Sequence, residues 1–198
     1  MQELYTLTVE ELEKRLLDQV GSTWPPIDKA VAMAKTAHEG QVRKGLAEPY
    51  VAHVLRTALL LLELAEQKHN AAVICAGLLH DVVEDTDVTA NDVEDDLSPQ
   101  VGDLVRALTH PDLKEGESKY ERNMRHLEGL RWEGRDAHIV KSADRLDNIL
   151  TMEGAFTAER REEYLKETEE GVLPLTLASN TALYHALKDA LAAAKSAS

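Results

Sequence analysis

The sequence predicts an all-α fold, a single bundle of about eight to ten helices. Helix-start signals follow one another along the chain, from Thr8-Val9-Glu10-Glu11 to Ser98-Pro99. Between them apolar residues return at helical spacing, and no segment sustains the apolar–polar alternation of a half-buried strand. Composition agrees, since aromatic residues make up only 4% of the chain against a large stock of Ala and Leu. That mix favours helices packed on helices over a β-sandwich. A length of 198 residues suits one domain with one sizeable core. No internal repeat, low-complexity linker or composition shift divides it. Residues 1–198 are therefore expected to form one domain, with a motif core over 28–152 and C-terminal helices over 157–195 packing on it.

The elements follow in order. Thr8 and Glu11 form a capping box that opens a helix to about Val20. Gly21 to Pro26 break the chain, and Asp28 is expected to cap the next helix, whose apolar face includes Val31, Ala34 and Ala37. Gln41–Tyr50, with Gly45 and Pro49, reads as a loop. From Val51 to Gln67 the residues Leu55, Leu59 and Leu62 recur at helical spacing. Asn70 is expected to cap Ala71–Val83, apolar nearly all round and hence the predicted central helix. Thr89 with Asp92 is a second capping box, and Ser98-Pro99 starts a helix to about Leu108. Further helices are expected over 118–130, 136–152, 158–170 and 179–195, with Pro174 breaking or kinking the last long stretch.

The formal charge of −14, from 36 acidic and 22 basic residues, argues against bulk nucleic acid or anionic membranes as partners. An acidic protein can still handle a small phosphate ester through a bound cation and a few local Arg or Lys. Cys75 is the single cysteine and lies in the apolar run Ala71–Leu79, so it reads as a small buried hydrophobe. The N-terminus lacks the basic-then-apolar layout of a signal peptide, and no stretch approaches the roughly 20 apolar residues of a membrane span. A reducing, cytoplasmic setting is expected.

A few separated residues carry the chemistry. His80-Asp81 ends the predicted central helix, and Glu84 and Asp85 follow in HDVVEDT. If the helix continues, Glu84 shares a face with His80 and Asp81. An imidazole and several carboxylates at the end of an apolar helix are costly to bury without a partner, and a divalent cation is the natural one. His53, in PYVAH, and Asp144, in KSADRLDN, are further ligand types. Two imidazoles and two carboxylates from three helices leave positions open on a six-coordinate ion. Mixed N/O ligation suits Mn²⁺, Fe²⁺ or Zn²⁺ better than Ca²⁺. A His-Asp dipeptide alone is a weak signal, whereas the ordered set of His, His-Asp and Asp on helices is strong.

The segments AHEGQVRKGLAEPYVAH (37–53), LLHDVVEDTDVT (78–89) and KSADRLDN (141–148) resemble the HD-type hydrolase domain of RelA/SpoT enzymes, in the same order and at compatible spacing. The resemblance covers Ala37 to Asn148 and continues more weakly to Pro174. It implies a stand-alone small alarmone hydrolase that removes the 3′-pyrophosphate of (p)ppGpp. It also implies metal ligands at His53, His80, Asp81 and Asp144, with Mn²⁺ the usual ion. By the same resemblance Glu84 and Asp85 orient the attacking water and manage its proton, and Arg43 and Lys44 contact the substrate phosphates. Asn148 matches a substrate-binding position, and Thr151 is expected to help line the nucleotide pocket. The chain departs from the family at Asp147, where His is usual, at Val54, where Pro is customary, and in the spacing of RKGLAEPY.

Two other readings stay open at this point. One is an HD-type phosphohydrolase acting on another nucleotide, as a nucleotidase, a phosphodiesterase or an NADPH phosphatase. The other is a module that binds the alarmone without turnover. His38 reads as a supporting residue and not a ligand, and His69, His110, His126, His138 and His185 as ordinary surface or interface histidines. Lys141 and Arg145 could touch phosphate or form structural ion pairs. Trp24 and Trp132 read as packing residues, and the C-terminal ALKDALAAAKSAS as a helix running into a frayed tail.

Overall fold

The computed structural model describes residues 2–43 and 45–197. After a 3₁₀ turn at Gln2–Thr6 the helices are α1 Val9–Val20, α2 Ile27–Ala37, α3 Val51–Leu59, α4 Ala71–Leu79, α5 Val82–Asp85 and α6 Ala90–Asp96. They continue as α7 Pro99–Leu108, α8 Lys119–Leu130, α9 Arg135–Leu150, α10 Ala158–Glu167, α11 Leu173–Ser179 and α12 Thr181–Ser196. Two π-helical turns, Leu60–Leu64 and Thr168–Val172, extend α3 and join α10 to α11. Among the described residues no strand forms, and the 41–50 loop holds one isolated antiparallel bridge, Val42 with Pro49. The fold is the all-helical one that the sequence predicts, and no helix among the described residues is long and apolar enough to cross a membrane.

The ends of the helices follow local chemistry. Thr8, Thr89 and Ser118 each accept from the backbone N–H three residues on, and the acidic residue there reaches back to the cap, closing a capping box. Each such cap stabilises its helix by about 1 kcal/mol. α4 is buried from Ala72 to Leu79 and packs against α2, α3, α7 and α9. Full burial of a side chain such as Ile74 or Leu78 contributes about 1.5–3 kcal/mol. Gly77 sets the distance between α4 and the turn after α3, because an added Cβ would lie 2.4 Å from Leu61 Cδ1. The second central element is α9, which packs against α3, α4, α7, α11 and α12. Buried apolar residues from Leu4 to Ala194 belong to one cluster.

Three expectations are corrected. Asp28 does not cap α2; Pro26 occupies the cap and Asp28 lies in the first turn, while the Thr23 hydroxyl accepts from Ile27 N–H at 3.4 Å. The central helix stops at Leu79 instead of Val83, with His80 and Asp81 in a turn before the short α5. Trp24 and Trp132 are 78% and 87% exposed, so neither packs in the core. Pro174 lies in the first turn of α11, directly after the π-helical turn Thr168–Val172, so the regular α-helix of that stretch is interrupted there as the sequence predicts. The tail remains helical to Ser196, with Leu187, Leu191 and Ala194 buried.

Candidate metal centre

The break after α4 is what exposes His80 to partners. A helix that ends at Leu79 leaves the Gly77 carbonyl available, and His80 Nδ1 lies 2.9 Å from it. A carbonyl only accepts, so Nδ1 carries the hydrogen and, in the neutral ring that metal binding requires, Nε2 keeps its lone pair. His53, on α3, reaches the same state by another route. Its Nδ1 lies 2.7 Å from Asp147 Oδ2, and a carboxylate likewise accepts. Both Nε2 atoms are buried and neither has a hydrogen-bond partner.

Those two nitrogens converge on carboxylates. Asp81 Oδ2 lies 3.1 Å from His80 Nε2 and 3.5 Å from His53 Nε2. Asp144 Oδ1 lies 3.5 Å from each. The imidazole centroids are 5.2 Å apart at 71°. Ligand atoms of His53, His80 and Asp81 fall within 4.8 Å of one another, which makes them a possible metal site. Donors around an ion bound at about 2.1 Å sit about 3 Å apart in octahedral geometry, close to the spacings seen here. Two orphaned, buried imidazole nitrogens facing two carboxylates fit a divalent cation.

The electrostatics of the metal-free centre point the same way. Burial raises the Asp81 carboxyl, but His80 and His53 overcome this and hold it well below the usual carboxylate range. Asp144 behaves likewise, with Lys141, His53 and His80 opposing burial. Burial disfavours charge on the imidazoles, yet Asp144, Asp147 and Asp81 bring His53 up to about 9. Asp81 and Asp144 bring His80 well above its ordinary value. The cage therefore attracts positive charge, and protons and a cation compete for it.

Neighbouring side chains fix the carboxylates. The Tyr50 hydroxyl donates to Asp81 Oδ2 at 2.6 Å, Lys141 Nζ donates to Asp144 Oδ2 at 2.9 Å, and Asn148 donates to Asp144 Oδ1. Lys141, Asp144, Asp147, Asn148 and the C-cap Thr151 recur at helical spacing along α9, so one polar stripe of the helix faces the site. Beside it the Arg43 guanidinium donates to Asn148 Oδ1 at 2.9 Å and Thr151 Oγ1 at 2.8 Å, and lies 5.7 Å from the Tyr50 ring. These partners are neutral. Gly45, at φ +77, lets the Arg43 loop press on the 154–155 backbone, where a Cβ would come within 2.6 Å of Ala155 N. Lys44 lies outside the described residues.

Of the pair after His80-Asp81, Glu84 accepts from His110 N–H at 2.8 Å and lies 2.7 Å from His110 Nδ1, and its charge acts on Lys141 and on Asp85. Asp85 borders a cleft of about 730 Å³ with Gln41, Asp87 and Asp92. Partial burial and the charge of Asp81 push its carboxyl up, against the Tyr50 hydroxyl. A second cleft of about 710 Å³, between α10 and α12, shares no residue with the centre.

A model of the HD domain family matches residues 30–171. The chain belongs to the HD domain family. Among HD relatives, a guanosine-3′,5′-bis(diphosphate) 3′-pyrophosphohydrolase of Aquifex aeolicus is 34% identical over 175 residues, 88% of this chain and 24% of that protein. The bifunctional (p)ppGpp synthase/hydrolase SpoT of Escherichia coli K12 is 33% identical over 168 residues, 80% of this chain and 23% of that protein. This HD chain thus spans about a quarter of the length of the curated relatives it matches. A solved structure described as a metazoan orthologue of SpoT that hydrolyses ppGpp and plays a role in starvation responses superposes with a TM-score of 0.74. It is 30% identical, and the match covers 84% of this chain and 93% of that one. The RelA/SpoT resemblance seen in the motifs therefore holds over most of the HD domain.

Sequence reasoning missed several residues here. Asp147 enters the motif comparison only as a departure, yet it orients His53, and the polar stripe on α9 was the signal that marks it. Tyr50 and Glu48 lie within the 37–53 motif with no role read for them, and Arg56 lies outside the motifs. His110 is not an ordinary surface histidine, since it holds Glu84 and its ring lies 4.6 Å from that of His126. His126 and His138 are buried, the latter donating to the Leu130 carbonyl at 2.7 Å. His38 supports the site, with its ring 4.7 Å from that of Tyr50. Arg145 is structural: it donates to Thr168 Oγ1 at 2.9 Å and stacks 3.9 Å over the Tyr164 ring.

Proposed function

We propose that the chain is a metal-dependent phosphohydrolase that removes the 3′-pyrophosphate of (p)ppGpp, giving GDP or GTP and pyrophosphate. One observation carries the reading: two buried, unpartnered imidazole nitrogens and two carboxylates stand beside an arginine held only by neutral groups. The names of the relatives point to the same substrate. We assign His53, His80, Asp81 and Asp144 as the ligands, on the mixed N/O donor set, and Mn²⁺ as the ion that the RelA/SpoT resemblance implies. When bound, a divalent cation supplies a Lewis acid that acidifies water and offsets phosphate charge.

The remaining work falls to side chains. Arg43 binds the phosphates: its charge meets no carboxylate in the contacts described, and Asn148 and Thr151 aim it. Lys44 is assigned to the same anion from its place in the loop. Asp85, whose carboxylate is made more basic by partial burial and by Asp81, takes the proton of the attacking water. Glu84, fixed by His110, orients that water. Water attacks the phosphorus attached to the ribose 3′-oxygen, the bond to that oxygen breaks, and the 3′-hydroxyl leaves with a proton. Positioning and charge neutralisation supply most of the rate in such transfers. We infer that residues 1–198 act as one unit, supported by the continuous apolar cluster.

The test is incubation of Mn²⁺-loaded protein with ppGpp, with nucleotide and pyrophosphate measured separately. GDP and pyrophosphate in equal amounts are expected. Intact ppGpp beside cleavage of another nucleotide would overturn the substrate, and tight binding without cleavage would overturn the enzyme.

A further inference from the structure

We infer that Asp147 is the positioning residue that readies His53 for the metal, and that Arg56 holds Asp147 in that role; this rests on the reading of the centre as a divalent-cation site. An imidazole can bind an ion through one nitrogen only if the hydrogen sits on the other. His80 has this settled by the backbone, through the Gly77 carbonyl 2.9 Å from Nδ1. His53 has no such carbonyl among its contacts. The carboxylate of Asp147, wholly buried and 2.7 Å from His53 Nδ1, does the same job with a side chain. In the neutral ring the lone pair then lies on Nε2, 3.5 Å from both Asp81 Oδ2 and Asp144 Oδ1. The opposite tautomer would aim an N–H into the cage and remove one ligand.

Asp147 does not stand alone. Arg56, itself buried, donates from Nε to Asp147 Oδ1 at 2.7 Å, so both carboxylate oxygens are committed and the carboxylate plane is fixed. The far end of the guanidinium meets Glu48 at 2.6 and 2.9 Å. Glu48 lies in the Arg43 loop, and its carbonyl accepts from Arg43 N–H at 2.9 Å. A chain of contacts thus runs from the Arg43 loop through α3 and α9 to Nδ1 of the imidazole whose other nitrogen faces the cage. Carboxylates placed behind a ligating imidazole fix its tautomer and raise its basicity, and their loss weakens metal binding about 10- to 100-fold.

The decisive measurements need no nucleotide, so an error in the substrate would leave them untouched. Mn²⁺ affinity is measured by competition with a chromophoric chelator for the wild type and for Asp147→Asn, with helicity followed by circular dichroism. The variant is expected to stay helical and bind Mn²⁺ about 10- to 100-fold more weakly. A helical variant that binds Mn²⁺ as tightly as the wild type would overturn the inference. Should the variant lose its helices, histidine ¹⁵N NMR of the Zn²⁺-loaded wild type decides. A protonated Nδ1 and a metal-bound Nε2 at His53 support the assignment, and a metal-bound Nδ1 overturns it. Wild-type protein that takes up neither ion would overturn the metal centre and this inference together.

Discussion

Replacing Arg56 with Met would test how the buried network behind the centre is held. Arg56 is almost wholly buried, and Asp147 is wholly so. The change removes three short donations, one to Asp147 at 2.7 Å and two to Glu48 at 2.6 and 2.9 Å. The Glu48 side chain is 28% exposed and can turn to water, but Asp147 cannot. Breaking a buried pair by deleting one partner costs about 3–5 kcal/mol, because the other charge is left in place. The Met side chain recovers about 1 kcal/mol of that through apolar contact. A net loss of about 3 kcal/mol is expected, which lowers the melting temperature by about 6–12 °C for a chain of this size. Urea unfolding of the metal-free protein at pH 7 measures it. Adding Asp147→Asn removes the stranded charge, so the double variant is expected to recover about 2 kcal/mol relative to the sum of the two single losses. A loss below about 1 kcal/mol, or additivity in the cycle, would refute the view that Asp147 depends on Arg56.

Other predictions are shorter. The pair His80→Ala and Asp81→Ala is expected to abolish Mn²⁺ uptake and hydrolysis while circular dichroism stays helical; retained uptake by equilibrium dialysis would exclude them as ligands. Arg43→Gln is expected to lower kcat/KM for ppGpp about 10- to 100-fold, chiefly through KM, from the loss of charge-assisted contacts. Its Mn²⁺ affinity should stay unchanged. Burial, helped by Lys141 and His110, holds His126 neutral with a pKa down to about 3. The unfolded chain therefore binds an extra proton between about pH 6.5 and 3, and stability falls as pH drops through that window. His126→Leu should flatten the slope by up to about 1 kcal/mol per pH unit, read from urea midpoints at pH 7 and 5. An unchanged slope would show that His126 is already charged or exposed.

Much of the fold can be read along the chain because its causes are local. Thr8, Thr89, Ser98 and Asn70 cap the helices expected of them, since a cap involves residues only three apart. The errors arise where a distant contact overrides the local pattern. The run through Val83 looks helical throughout, yet the chain turns at His80 and Asp81, whose side chains face His53 and Asp144. Trp24 and Trp132 read as packing residues by size and hydrophobicity, but both lie in connections between helices and are exposed. Glu84 meets His110, a residue with no motif around it, through a contact that helical spacing does not encode.

The sequence by itself determined the helical architecture, the apolar central helix and the four side chains of the candidate cage, because periodicity and ligand chemistry are written in residue order. Tertiary structure alone decided how the cage is held. The partners of His53, Asp147, Arg56 and Glu48 lie 94, 91 and 8 residues apart in the chain. Which buried carboxylate meets which imidazole depends on how α3 and α9 pack, and no local pattern encodes that.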